Sequence, residues 1–101
     1  MSTPDITIQH QPEHRRFIAE VDGHLCEAAY RWREDGRSIV LNHTEVSPAL
    51  QGRGIAAALV RVALDWVRTE GLTVVPSCSY VRTYMRRHRD TQDLLAPGQS
   101  L

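Results

Sequence analysis

Residues 51–71 read QGRGIAAALVRVALDWVRTEG, a short glycine-containing loop followed by a long helical pattern. From Gly54 to about Glu70, apolar residues recur every three or four positions, which is typical of a helix with one buried face. Gly71 stands where many helices end in a left-handed residue. This stretch therefore predicts a helix of about 17 residues, roughly 25 Å long, with one face packed on the rest of the fold.

The chain before this helix predicts an antiparallel meander of four strands. Apolar residues alternate there with polar ones or form short runs rich in strand formers. The predicted strands cover residues 6–10, 16–21, 25–32 and 38–46. Asp22-Gly23, between the second and the third strand, is a strong signal for a two-residue hairpin turn.

The chain after the helix predicts one more strand and one more helix. Residues 72–75, LTVV, form a short apolar run of the kind found in buried strands. Ser77 or Ser79 would N-cap a second helix that runs from residue 80 to about residue 88. We therefore predict an α+β fold with a mixed sheet: an antiparallel four-strand meander, then a strand–helix–strand crossover and a final helix.

Length, composition and charge predict a single globular domain. The chain has 101 residues, 42% of them hydrophobic, and 12 basic residues balance 12 acidic ones. We expect one domain over residues 1–94 and a flexible tail over 95–101. Zero net charge argues against nucleic acid or an anionic membrane as a partner. Without a transmembrane-length apolar run or a signal-peptide pattern, the expected location is cytoplasmic.

The cysteines and histidines do not show the spacing of a metal site. Cys26 and Cys78 are too few for a disulfide framework, so we expect free thiols and no metal. Cys26 has no feature beyond an apolar strand and is expected in the core. All 12 basic residues are arginines, so the chain has no lysine that it could modify.

The loop at residues 51–56 carries the clearest chemical signal. Its two glycines permit a sharp turn and close approach of a ligand to the backbone. The first turn of the following helix leaves N–H groups unpaired, which together with the helix dipole favours a phosphate or pyrophosphate. Such glycine pairs also occur simply as turns. Their spacing alone therefore does not decide between a turn and a phosphate-binding loop. The loop is neither a Walker loop nor a dinucleotide fingerprint.

The same loop resembles a known family. Gln51, Gly54 and Ala56 match the Q/R-x-x-G-x-G/A signature of the GNAT superfamily of acetyl-CoA-dependent N-acetyltransferases. The segments HTEV at 43–46, ALD at 63–65 and CSYV at 78–81 are similar to a minimal single-domain branch of that superfamily. The resemblance covers roughly residues 5 to 94, nearly the whole chain.

The resemblance implies a site for acetyl-CoA, residue by residue. Backbone N–H groups of the loop would hold the pyrophosphate, and a strand would pair with the pantetheine arm. The loop residues are Gln51, Gly52, Arg53, Gly54, Ile55 and Ala56, and the strand residues are Thr44, Glu45 and Val46. The fourth and fifth strands would splay apart to admit the thioester, whose carbonyl an N–H near Val46 would polarise.

Four side chains are candidates for catalysis. The resemblance places Cys78 near the acetyl group and Tyr84 where a tyrosine protonates the departing thiolate. A helix N-terminus would lower the thiol pKa of Cys78, although an inert buried thiol is the plainer reading. Tyr84 could equally pack its ring on the sheet. His43 and Glu45 lie two apart on one strand, so they face the same side and either could deprotonate an amine; the alternative is ordinary polar surface residues.

The sequence therefore predicts an acetyl-CoA-binding N-acetyltransferase that modifies an amine of a peptide, protein or small molecule. Transfer would be direct or would pass through acetyl-Cys78. Residues 11–13 stand where the larger enzymes insert two acceptor-binding helices. Because this sequence does not predict those two helices, we keep an alternative function: a catalytically weak acyl-CoA-binding or regulatory module. We expect a monomer or a weak homodimer.

Overall fold

The computed structural model describes residues 6–101 as a five-stranded sheet with two α-helices. The strands are β1 (Gln9–Gln11), β2 (Arg16–Val21), β3 (His24–Trp32), β4 (Ser38–Glu45) and β5 (Thr73–Pro76). The helices are α1 (Ile55–Thr69) and α2 (Ser79–Arg87). Short 3-10 helices cover Pro12–His14, Pro48–Leu50 and Arg89–Leu94. The first five residues of the predicted domain lie outside the described residues.

The sheet has the predicted mixed topology. Its strands lie in the order β1-β2-β3-β4-β5; the first four are antiparallel, and β5 runs parallel to β4. The β2–β3 turn has positive φ at both Asp22 (50°) and Gly23 (79°), which is the geometry that tight hairpins prefer. α1 connects the two parallel strands. The α+β prediction and its order of elements are therefore confirmed.

Several predicted boundaries were wrong, each for a local reason. β1 begins at Gln9, because Ile6 and Ile8 pack against the core without pairing as a strand. α1 begins at Ile55, because Gly54 has a left-handed φ of 78° and remains outside the helix. α2 begins at Ser79, and Cys78 occupies the N-cap position that was expected for a serine.

The core lies between α1 and one face of the sheet. Leu59, Ala63 and Val67 of α1 are fully buried against it. Tyr30, Leu41 and Cys26 face α1, and the burial of Cys26 confirms its predicted place. We call the opposite side of the sheet the open face, since Leu25 is 51% exposed there and Glu20 is exposed as well. None of the helices formed by residues 6–101 is long and apolar enough to cross a membrane.

The segment after α2 returns to the sheet. Leu95 forms a parallel bridge with Val74, and the Ala96 N–H donates to the Val74 carbonyl over 2.9 Å. Arg68 of α1 donates two hydrogen bonds of 2.9 Å to the Asp93 carboxylate. The first two residues of the predicted tail are thus paired with β5, while flexibility of the rest stays a prediction.

A partly buried hydroxyl pair joins the start of β4 to β5, and its disruption should destabilise the fold. The Ser38 and Thr73 hydroxyl oxygens are 2.7 Å apart, and Ser38 is 2% exposed. We expect Ser38→Ala to lower the free energy of unfolding by about 1–2 kcal/mol, because the Thr73 hydroxyl loses its partner. Urea unfolding measures this. The double variant Ser38→Ala/Thr73→Val should recover much of the loss; an equal or larger loss would contradict the argument.

Candidate functional site

A cleft of about 590 Å³ opens between the end of β4 and the start of α1. We call it the β4–α1 cleft. The predicted cofactor residues that line it are Thr44, Val46, Gln51, Gly52, Gly54, Ile55 and Ala56. Glu45, Leu50 and Tyr80 complete the lining. The structure therefore gathers at one cleft all the predicted cofactor residues except Arg53.

The loop before α1 presents a run of free backbone donors. Within residues 6–101, the N–H groups of residues 52–57 have no hydrogen-bond acceptor, and the first helical bond runs from the Ala58 N–H to the Gly54 carbonyl. Positive φ values of 86° at Gly52 and 78° at Gly54 produce the turn. Unpaired amides at a helix N-terminus form a favourable environment for an anion.

The Arg53 side chain points away from the cleft. Its guanidinium donates to the Asp22 carboxylate over 2.8 Å and so links the loop to the β2–β3 turn. Because Asp22 lies in a tight hairpin, this contact helps to place the loop against the sheet. The sequence predicted that Arg53 binds the cofactor through its backbone N–H, which has no acceptor within residues 6–101. It did not predict the ion pair with Asp22.

Gly52 is the position where the loop conformation can be tested without a steric clash. An added Cβ would meet no atom of residues 6–101 within 4 Å, yet φ is +86°. We expect Gly52→Ala to cost about 1 kcal/mol of folding stability through backbone strain alone, measured by thermal unfolding. Gly36→Ala is the matched control. Gly36 also has open space and a φ of +66°, but it lies in the β3–β4 turn, so this variant measures the cost of the same kind of strain away from the loop. Equal stability of wild type and the Gly52 variant would contradict the strain argument.

β4 has a free edge beside the cleft. Its pairing with β5 ends at Leu41–Pro76, while its pairing with β3 continues to Glu45. The Ser77 and Cys78 N–H groups both donate to the Leu41 carbonyl over 3.1 Å, which turns the chain away from β4. The remaining residues of β4 can therefore pair with an extended ligand on that side. This is the splayed arrangement that the family resemblance implies.

Cys78 does not line the cleft itself but contacts a residue that does. Its Sγ is 3.7 Å from the hydroxyl oxygen of Thr44, which lines the cleft. Burial raises the pKa of the thiol, but the Val81 N–H, the Thr44 hydroxyl and the Tyr80 N–H favour the thiolate and bring the pKa below its ordinary value.

Arg82 holds the turn that carries Cys78. Its guanidinium donates to the carbonyl oxygens of Pro76 (3.2 Å) and Ser77 (2.9 Å). Arg82 lies in the first turn of α2. The structure gives this one residue a specific role in positioning the backbone just before the thiol.

Tyr84 does not line the β4–α1 cleft. It is 6% exposed, stacks on His88 with ring centroids 3.9 Å apart, and has the Arg61 guanidinium 5.5 Å from its ring centre. Burial raises the pKa of its hydroxyl. It lines a separate hollow of about 130 Å³ together with Ala57. Protonation of a thiolate by Tyr84 thus stays a prediction without support from its position.

Tyr80 is the functional candidate that sequence reasoning missed. It lies four residues before Tyr84 on the same helical face, and it lines both the cleft and the smaller hollow. Its side chain is 39% exposed, and burial of the ring raises the pKa of the hydroxyl. The available signal in the sequence was the spacing of four between Tyr80 and Tyr84. That spacing does not tell which of the two tyrosines lines the cleft.

His43 and Glu45 face the same side, as predicted, and contact each other. His43 Nε2 lies 3.2 Å from Glu45 Oε1 and 3.7 Å from Glu27 Oε2. Nitrogen and oxygen atoms of these three residues lie within 4.8 Å of one another, a grouping that can also hold a metal ion. Arg16 Nη1 contacts the other carboxylate oxygen of Glu27, Oε1, at 3.2 Å. That no metal binds stays a prediction.

Comparisons with known proteins cover this whole site. The family model described as GCN5-related N-acetyl-transferase matches residues 16–94. Protein NATD1 of Gallus gallus is 36% identical over 84 residues, 82% of this chain and 76% of that protein. Human protein NATD1 is also 36% identical over 84 residues and is covered to 74%. The NMR structure of a GCN5-like protein from Staphylococcus aureus matches this fold with a TM-score of 0.69 and a sequence identity of 28%. The match covers 95% of this chain and 91% of that protein's chain.

Proposed function

This chain belongs to the family of GCN5-related N-acetyltransferases, and on that premise we propose that it binds acetyl-CoA in the β4–α1 cleft and transfers the acetyl group to an amine. The observation that carries the proposal is one juxtaposition. The free N–H groups of residues 52–57 lie next to the unpaired edge of β4. Coenzyme A has a pyrophosphate for the first and an amide-containing arm for the second.

The pyrophosphate would occupy the start of α1. The backbone amides from Gly52 to Ala56 supply donors for its oxygens, and the α1 dipole favours its charge. The pantetheine arm would continue along Thr44–Val46 as an added strand. This path brings the thioester to the point where β4 and β5 part, beside Thr44 and Cys78. An N–H near Val46 would polarise its carbonyl.

Cys78 would accept the acetyl group and pass it to the amine. Its thiol has a pKa below the ordinary value and contacts a residue that lines the cleft. A thiolate attacks the thioester carbon, the carbon–sulfur bond to coenzyme A breaks, and the CoA thiolate leaves. The amine then attacks acetyl-Cys78 by the same chemistry and regenerates the thiol.

Calorimetric titration with acetyl-CoA tests the proposal. We expect about one site per chain and a dissociation constant on the order of micromolar. Acetyl-pantetheine, which has the thioester but lacks the pyrophosphate, should bind far more weakly because it leaves the α1 amides unused. Absence of acetyl-CoA binding at millimolar concentration would contradict the proposal. Tight binding together with failure to acetylate any of a panel of amines and peptides would favour the non-catalytic module.

A further inference from the structure

A chain of polar contacts crosses the open face of the sheet and ends at the cleft. We call it the polar ladder; its members are Gln11 on β1, Arg16 on β2, Glu27 on β3, and His43 and Glu45 on β4. Arg16 Nε donates to the Gln11 amide oxygen over 2.8 Å, and Arg16 Nη1 donates to Glu27 Oε1 over 3.2 Å. Glu27 Oε2 faces His43 Nε2 at 3.7 Å. Glu45, the last member, lines the cleft.

A β-bulge in β4 brings His43 into this ladder. Tyr30 of β3 is paired with Leu41, and the preceding Ala29 is paired with His43, so Asn42 is an extra residue in β4. In a regular strand, residues two apart face the same side, so without the bulge His43 would face α1 as Leu41 does. The extra residue turns His43 to the open face, where Glu27 lies.

Glu27 is the better ordered of the two carboxylates that meet His43. Its side chain is 24% exposed and fixed by Arg16, whereas the Glu45 side chain is 68% exposed. Both carboxylates approach the same ring nitrogen, Nε2. A neutral imidazole carries one proton, and a nitrogen that faces two carboxylates is the one that keeps it. Nδ1 is then left with a free lone pair.

We propose that Glu27, fixed by Arg16, is a positioning residue that keeps the proton of His43 on Nε2 and so makes Nδ1 the base for the acceptor amine. The inference rests on the proposed function. An alkylammonium group arriving over the open face gives a proton to Nδ1, and the free amine attacks the acetyl thioester carbon. The N–C bond forms, the C–S bond breaks, the departing thiolate takes up the proton that the nitrogen loses as the amide forms, and the imidazolium returns its proton to solvent.

The anionic surroundings of His43 suit this role and an ammonium acceptor. The charged groups that face it are Glu27 from β3 and Glu45 from β4, and Arg16 from β2 reaches it only through Glu27. The two carboxylates attract a cationic amine to this part of the open face. Its side chain is 51% exposed, so a substrate has access to the ring.

A double-mutant cycle tests whether Glu27 acts through His43. With acetyl-CoA and 1,5-diaminopentane as the probe acceptor, Glu27→Gln should lower kcat/KM by about tenfold or more, and His43→Gln by about 100-fold or more. In the His43→Gln background, Glu27→Gln should have less than about a twofold further effect. Glu27→Asp should restore part of the activity. Glu20→Gln, the same charge change elsewhere on the open face, is the matched control. Independent, multiplicative losses from Glu27 and His43 would overturn the proposal.

A spectroscopic readout needs no acceptor. Long-range nitrogen–proton spectra of ¹⁵N-labelled protein report which ring nitrogen of His43 carries the proton. We expect Nε2–H in wild type and in Glu20→Gln, and a larger fraction of the Nδ1–H form in Glu27→Gln. A proton on Nδ1 in wild type, or identical His43 spectra in wild type and Glu27→Gln, would overturn the inference. Calorimetry with acetyl-CoA on the same variants separates this outcome from failure of the proposed function, because Glu27→Gln should leave cofactor affinity unchanged within about twofold.

Discussion

Incubation with acetyl-CoA alone should place one acetyl group on Cys78 as a thioester. The thiol lies beside Thr44 at the point where the CoA thioester would reach the sheet. Its lowered pKa raises the thiolate fraction at neutral pH, and the thiolate is the attacking species. The other cysteine, Cys26, is completely buried and should remain unmodified.

The absence of lysine makes this adduct unusually easy to assign. All 12 basic residues are arginine, so no lysine amide can form. Intact-mass measurement should show one added acetyl group that neutral hydroxylamine removes, as expected for a thioester and not for an amide at the N-terminus. Cys78→Ala should abolish the adduct and lower amine acetylation by about 100-fold or more, with Cys26→Ala as the control for loss of a thiol.

Adduct formation should also depend on pH in one direction. The rate should rise as the thiol ionises and level off above its pKa, which lies below the ordinary thiol value because of the N–H groups at the start of α2 and the Thr44 hydroxyl. A midpoint at or above the ordinary value would contradict this. Unchanged turnover in Cys78→Ala would mean that the amine attacks acetyl-CoA directly.

Ala56→Glu should nearly eliminate acetyl-CoA binding without harming the fold. Ala56 lines the cleft in the first turn of α1, among the amides assigned to the pyrophosphate. A carboxylate there competes for those donors and repels the phosphates. Two like charges 5 Å apart at a partly exposed site cost about 3 kcal/mol, so affinity should fall by about 100-fold, as measured by calorimetry.

The same substitution should leave the stability of the protein unchanged or raise it. An acidic side chain in the first turn interacts favourably with the α1 dipole by about 0.3–1 kcal/mol. Ala58→Glu is the matched control: it adds the same charge to the same end of α1, but Ala58 does not line the cleft. If both variants lost affinity equally, a general charge effect would explain the result. If neither did, the pyrophosphate would not occupy this loop.

Local patterns predicted much of the fold and most of the residues that line the β4–α1 cleft. The spacing of apolar residues in α1, the Asp22-Gly23 hairpin and the glycine loop each depend on a few consecutive residues, so short-range sterics and hydrogen bonding are enough to specify them. The predicted loop residues, except Arg53, accordingly line one cleft. The errors fell at element ends, where a single residue such as Gly54 or Cys78 decides between helix and cap.

The contacts between distant residues were decided by tertiary structure alone. Arg53 meets Asp22, and Tyr80 enters the cleft in place of Tyr84. Each pairing joins segments whose separation in space is set by how α1, α2 and the sheet pack. No periodicity in the chain carries that information.

The polar ladder shows the physical reason most clearly. The sequence by itself determined that His43 and Glu45 share a side of β4, because strand side chains alternate. It did not determine which side. That depended on a one-residue bulge at Asn42, which formed when β4 paired with β3 and which places His43 opposite Ala29 and near Glu27. Strand register is a property of two segments together, so only the assembled sheet brought His43 close to the Glu27 carboxylate.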